Sequence, residues 1–107
     1  MARALVSVPA RAKRGEVVEI KALISHPMET GYRTGPDGTL VPRDIIHRFL
    51  CTFEGEEVFS ADLAPAISAN PFLSFTLRAE RSGVLTFRWF DDKGGGQVET
   101  ASLVVDG

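Results

Sequence analysis

Apolar and polar residues alternate along most of this chain, and short runs of Gly, Pro, Asp and Ser separate the alternating stretches. A period of two is the mark of strands that bury one face. Arg3 to Val8 reads as a first strand and Arg11 to Gly15 as a turn. Glu16 to Ser25 reads as a second strand, with Val18, Ile20, Ala22 and Ile24 on one face and Glu19, Lys21 and Leu23 on the other. The third strand, Asp44 to Glu54, turns Ile45, Phe49, Cys51 and Phe53 inward. A short fourth, Glu57 to Asp62, follows the turn at Gly55-Glu56. The fifth, Phe72 to Glu80, buries Leu73, Phe75, Leu77 and Ala79. The sixth, Val84 to Phe90, buries Leu85, Phe87 and Trp89. The last, Gln97 to Val105, buries Ala101, Leu103 and Val105. No segment sustains a helical period. About seven antiparallel strands in 107 residues predict an all-β fold, an immunoglobulin-like β-sandwich forming one domain over residues 1–107.

The connections are unequal. Ser25 to Asp44 is too polar and too rich in Gly and Pro for a strand, and it is far longer than the usual loop. Met28, Tyr32 and Leu40 give it apolar anchors, and Pro27 and Pro42 stiffen its ends, so it reads as an ordered functional loop. In an up-and-down strand order it shares one pole with the loops Leu63–Pro71 and Asp91–Gly96. The other pole carries tight turns at Lys13–Gly15, Glu54–Glu56 and Arg81–Gly83. The long-loop pole is the expected working end. Met28, Tyr32 and Arg33 are its candidate partner-binding residues, being of the kinds enriched where proteins dock. The alternative for this loop is a cap over the core, with Tyr32 buried and Arg33 paired locally.

Composition narrows the function. A net charge of −2 argues against nucleic-acid binding, which calls for a basic surface. No apolar run approaches a membrane span, and the run after Met1 is too short for a cleavable signal. The single Cys51 excludes an internal disulfide, and its place between Phe49 and Phe53 makes it an inert core thiol rather than a nucleophile. There is no Gly-x-Ser-x-Gly elbow and no phosphate loop, since Gly94-Gly95-Gly96 lacks the Gly-Lys-Ser/Thr ending. Asp91-Asp92 reads as turn chemistry. These features predict no catalytic residues and a chain that is not an enzyme. His26, Met28, His47 and Cys51 include the ligand types of a copper site. The alternative reading is therefore a small periplasmic copper-binding sandwich using His26 and Met28, although two ligands are few and the expectation is no metal and no cofactor.

Several apolar residues fall on the outward face of their strands. Strands three, six and seven share a sheet in this type of fold, which gathers Ile46, Leu50, Val84, Phe90, Val98 and Val104 on its outer side. A contiguous patch of that kind marks a protein partner, so these six are the candidate subunit interface.

Four segments bear a resemblance to a known family. Ser-His-Pro-Met-Glu-Thr-Gly-Tyr-Arg (25–33), Pro-Arg-Asp-Ile-Ile (42–46), Phe-Glu-Gly-Glu-Glu-Val-Phe-Ser-Ala-Asp-Leu (53–63) and Ala-Asn-Pro-Phe-Leu-Ser-Phe (69–75) resemble SoxZ. SoxZ is the small subunit of the SoxYZ carrier of bacterial thiosulfate oxidation. The resemblance implies a heterodimer with SoxY, whose C-terminal cysteine, flanked by glycines, carries sulfur intermediates between sulfur-oxidising enzymes. This chain ends Leu103-Val104-Val105-Asp106-Gly107 and looks like the partner without the cysteine. The resemblance further implies a periplasmic address, reached by export together with the signal-bearing partner, and it brings no catalytic residues. A module of a larger adhesion protein is disfavoured by strands that fill the span from Met1 to Gly107.

Overall fold

In a computed structural model that describes residues 3–64, 67 and 69–107, the chain is all-β and built from two sheets packed face to face. Eight strands form: β1 (Arg3–Ser7), β2 (Arg11–Lys13), β3 (Val17–Ser25), β4 (Ile46–Phe53), β5 (Glu56–Asp62), β6 (Phe72–Arg78), β7 (Gly83–Asp91) and β8 (Gly96–Asp106). One sheet has the order β1-β3-β6 and the other β2-β8-β7-β4-β5. The pairings are antiparallel except for β2, which runs parallel to β8 with Arg11 opposite Val104. Residues 11–13 thus correct the expected turn: Ala12 is buried and the segment is an edge strand, while the turn itself begins at Arg14.

The expected inward residues fill the space between the sheets. Val18, Ile20, Ala22 and Ile24 face Phe49, Cys51, Phe87 and Trp89, all buried. Phe49 is the hub, with ring centroids of Trp89 at 5.2 Å, Phe59 at 6.1 Å, Phe87 at 6.3 Å and Phe75 at 6.4 Å. Phe59 of β5 stacks on Phe75 of β6 at 4.4 Å and 3°. That pair joins the two sheets along their shared edge, where offset stacking adds to area burial.

Ile46 departs from its expected outward position and is 1% exposed. The β4–β7 register shifts between Ile46 and Arg48, so Ile45 and Ile46 both turn into the core. Such an irregularity breaks strict alternation, and it removes Ile46 from the outer face.

The molecule measures 61 × 20 × 19 Å, with a radius of gyration of 16.3 Å against about 13 Å for a compact chain of this length. Nine-residue strands span about 30 Å. The remaining length comes from the segment between β3 and β4, which projects from one pole as an arm.

Candidate functional site

The arm is ordered because it pairs with itself. Glu29 and Asp44 exchange backbone hydrogen bonds of 2.9 and 2.8 Å at its base. Further out, Val41 N–H donates to Arg33 O at 2.8 Å and Gly35 N–H to Thr39 O at 2.7 Å. At the tip, the Asp37 carboxylate accepts from Thr39 N–H at 3.1 Å and Thr39 Oγ1–H at 2.7 Å, which holds it below the usual carboxylate range. Gly31 is required where the two limbs cross: its φ is +90°, and a Cβ there would lie 3.0 Å from Arg43 Cβ.

The root of the arm is locked to both neighbouring loops. His26 N–H donates to Asn70 Oδ1 at 2.9 Å, and Asn70 N–H returns a bond to His26 O at 2.8 Å. Arg43 grips Asp92 with Nε at 2.7 Å and Nη2 at 2.9 Å. Asp92 also accepts from Ile45 N–H at 3.1 Å, and its own N–H donates to Ile45 O at 3.0 Å. The Arg43 guanidinium keeps the Asp92 carboxyl below its ordinary range. The three loops therefore converge on one pole as expected. Of the second loop, residues Pro65, Ala66 and Ser68 lie outside the described residues. Asp91 serves its turn, accepting from Lys93 and Gly95 N–H. Asp92 is more than a turn residue, because it clamps the arm to the β7–β8 hairpin.

The candidate docking residues separate. Tyr32 is 80% exposed, with Leu40 exposed on the opposite limb. Arg33 is exposed and pairs with Glu29 at 2.6 Å, which lowers the Glu29 carboxyl. Met28 corrects its expected role: at 4% exposure it belongs to the core, and its Sδ accepts Ile46 N–H at 3.3 Å. Its φ of +54° is a left-handed conformation unusual for a bulky residue, and it turns the chain so that the side chain plugs the pole. The arm is thus a cap at Met28 and an exposed limb from Tyr32 outward.

His26, Asp44 and Asp91 place one ligand atom each within 4.8 Å of one another. The geometry does not fit a metal. His26 Nδ1 accepts Met28 N–H at 2.9 Å, so the neutral ring carries its proton on Nε2, the nitrogen that faces Asp44 Oδ1 at 3.9 Å. A ligating nitrogen must offer its lone pair there instead. The copper alternative meets the same difficulty, since His26 Nδ1 and Met28 Sδ both already accept backbone N–H groups. His47 is exposed on β4. Cys51 is fully buried, and burial pushes its thiol up to about 12, far from a usable thiolate.

The second candidate surface is the outer face of the five-stranded sheet. Val84, Phe90, Val98 and Val104 are exposed there and Leu50 is partly so. Leu50, Arg88 and Val98 lie in one cross-strand row, with Phe90 one row on beside Arg48 and Gly96. A row of Thr52, Thr86 and Thr100 separates this group from Val84 and Val104. Two cations on the face are matched by carboxylates, Arg11 by Asp106 and Arg48 by Asp62, each at 2.9 Å, while Arg88 stands between Leu50 and Val98.

The fold is that of an immunoglobulin-like β-sandwich, with a self-paired arm at one pole and a partly apolar outer face on the five-stranded sheet. The chain belongs to the SoxZ family: the model of sulphur oxidation protein SoxZ matches residues 6–102. It is a subunit of the sulfur-oxidising Sox system, of a family that is generally exported and works with Sox partners. Among curated proteins no match is found. Among solved structures the chain is similar to the superoxide reductase (neelaredoxin) of Ignicoccus hospitalis, at 18% identity and a TM-score of 0.77, over 96% of this chain and 80% of that one. A putative superoxide reductase of Thermotoga maritima matches at 16% and 0.72, over 97% and 86%. At these identities the likeness is one of fold.

Proposed function

We propose that this chain is the non-catalytic subunit of a heterodimeric sulfur carrier, working in the periplasm in thiosulfate oxidation. It scaffolds a SoxY-like subunit whose C-terminal cysteine bears the sulfur and presents that subunit to sulfur-oxidising enzymes. The family match across residues 6–102 carries the reading. The chain's one cysteine is sealed in the core, so the sulfur must ride on another subunit. The permanent partner covers the outer face of the five-stranded sheet at Leu50, Val84, Phe90, Val98 and Val104. Apolar islands within a polar sheet face suit a protein contact. Enzymes dock on the arm, where Tyr32 supplies an exposed aromatic and Arg33 a cation held in place by Glu29.

The test is reconstitution. The chain alone should turn over neither thiosulfate nor sulfite, whereas adding the cysteine-bearing subunit should restore sulfur transfer by the enzymes. In the complex, Tyr32→Ala with Arg33→Ala should weaken enzyme docking by roughly 2 kcal/mol or more while the melting temperature holds. Turnover by the chain alone defeats the carrier reading, and unchanged docking defeats the role of the arm.

A further inference from the structure

The outer face of the three-stranded sheet carries a feature invisible strand by strand. Leu5 of β1 stands opposite Leu23 of β3, and Leu23 stands opposite Phe72 of β6. The three form one unbroken apolar row across the whole sheet. Leu5 is 63% exposed, Phe72 is 57% exposed and Leu23 is partly exposed between them. The row borders a shallow groove of about 180 Å³. Polar rows flank it: Ser7, Lys21 and Ser74 on one side, Arg3 and Ser25 on the other. An apolar centre inside a polar rim is the anatomy of a protein interface.

The face carries a small excess of positive charge. Arg3, Lys21 and Arg78 point outward from it; Glu19 holds Lys21 at 3.5 Å and Glu80 lies 4.0 Å from Arg78, which leaves Arg3 as its cation without a carboxylate partner among the described residues. The chain as a whole is acidic at −2. An anionic membrane calls for a cluster of about four or more cations, which the row's neighbourhood lacks. The apolar row exposes roughly 300 Å² at most, judged from the ~150–250 Å² of an aromatic side chain. A stable partner takes ~800 Å² per side.

The row also lies at the arm's end of the sheet. Leu23 is three residues before His26 at the arm's root, and Phe72 follows the Asn70 that locks that root. It faces away from the five-stranded sheet's outer face, so both can be covered at once. We propose that the Leu5–Leu23–Phe72 row, with Arg3 and Lys21, seats an acidic protein surface bearing an apolar knob, in a transient complex. This rests on the carrier reading above, so the occupant is one of the sulfur-oxidising enzymes.

The experiment uses the complex of this chain with its cysteine-bearing subunit, immobilised, and purified sulfur-oxidising enzymes of the same host as probes. Leu5→Ser with Phe72→Ser removes the knob's seat, and Arg3→Glu with Lys21→Glu reverses the rim. Each pair should raise the Kd of at least one enzyme tenfold or more. The charge pair should also flatten that enzyme's salt dependence, with subunit pairing and melting temperature unchanged. Parent docking that neither pair alters overturns the proposal alone. Loss of the subunit instead of the enzyme overturns it by giving the face to the permanent partner. Binding of phosphatidylserine vesicles that the same pairs abolish overturns it in favour of a membrane. A parent complex that docks no enzyme defeats the carrier reading and the proposal together.

Discussion

Replacing Met28 by Ala tests whether the arm is anchored through the core. Met28 is almost completely buried, and its sulfur accepts the N–H of Ile46, itself buried. Truncating a buried Met to Ala costs about 2–5 kcal/mol in lost transfer and cavity energy. The orphaned Ile46 N–H adds about 1 kcal/mol, at the low end because thioether sulfur is a weak acceptor. The left-handed backbone of residue 28 is equally unfavourable for Ala, so relief of strain does not offset the loss. The expected total is about 3–6 kcal/mol, a large part of the roughly 5–15 kcal/mol that holds a domain together. Met28→Leu keeps the volume and loses only the acceptor, and should cost under about 1.5 kcal/mol. The assay is urea unfolding followed by the fluorescence of Trp89, the chain's one tryptophan, buried against Phe49. A Met28→Ala loss below about 1 kcal/mol would refute the anchoring argument.

Cys51 should resist bulky thiol reagents in the native protein, and Cys51→Ser should cost about 1–3 kcal/mol for a buried hydroxyl without a partner while sulfur carriage by the complex continues. Gly31→Ala should loosen the arm, since it places a Cβ in a left-handed conformation against Arg43; faster amide exchange at Val41 and Gly35 than in the parent, with the β3–β6 pairing unchanged, would show it. The Arg43–Asp92 clamp predicts a pH dependence. The folded carboxyl lies below 3.8, so the unfolded chain binds the proton more readily. The clamp's contribution is complete above the ordinary carboxylate range and is lost as pH falls through the lowered folded value. The stability gap between parent and Arg43→Met should persist at neutral pH and close as pH falls through the lowered folded value; a gap that grows on acidification contradicts the clamp.

Much of this architecture was legible in the alternation, because burial on one face imposes a period of two that any reader of the sequence can follow. The inward residues of β3, β6, β7 and β8 are where that period puts them. What failed depended on contacts distant in sequence. Arg-Ala-Lys at 11–13 has one apolar residue, and only β8, some ninety residues on, makes it a strand. Strict alternation puts Ile46 outward, because a register shift cannot be seen in a single strand. Met28 has the composition of a docking residue, and its left-handed φ, not its type, sends it inward. At the site, the convergence of three loops followed from strand order. The clamp between Arg43 and Asp92 did not, since nothing local to either residue names the other. The Leu5–Leu23–Phe72 row stayed hidden for the same reason: Leu23 was visibly outward, but its cross-strand neighbours depend on the pairing β1-β3-β6.

The central claim is that this chain works as the permanent, non-catalytic half of a sulfur carrier, and the mass of its native complex tests it most directly. The tagged chain, purified from its own host under mild conditions, should elute as a one-to-one complex with a second subunit ending in a glycine-flanked cysteine. Val98→Asp with Leu50→Asp on the five-stranded sheet should release that subunit while leaving the chain folded. Recovery of the chain without such a companion, as a monomer or as copies of itself alone, would contradict the account.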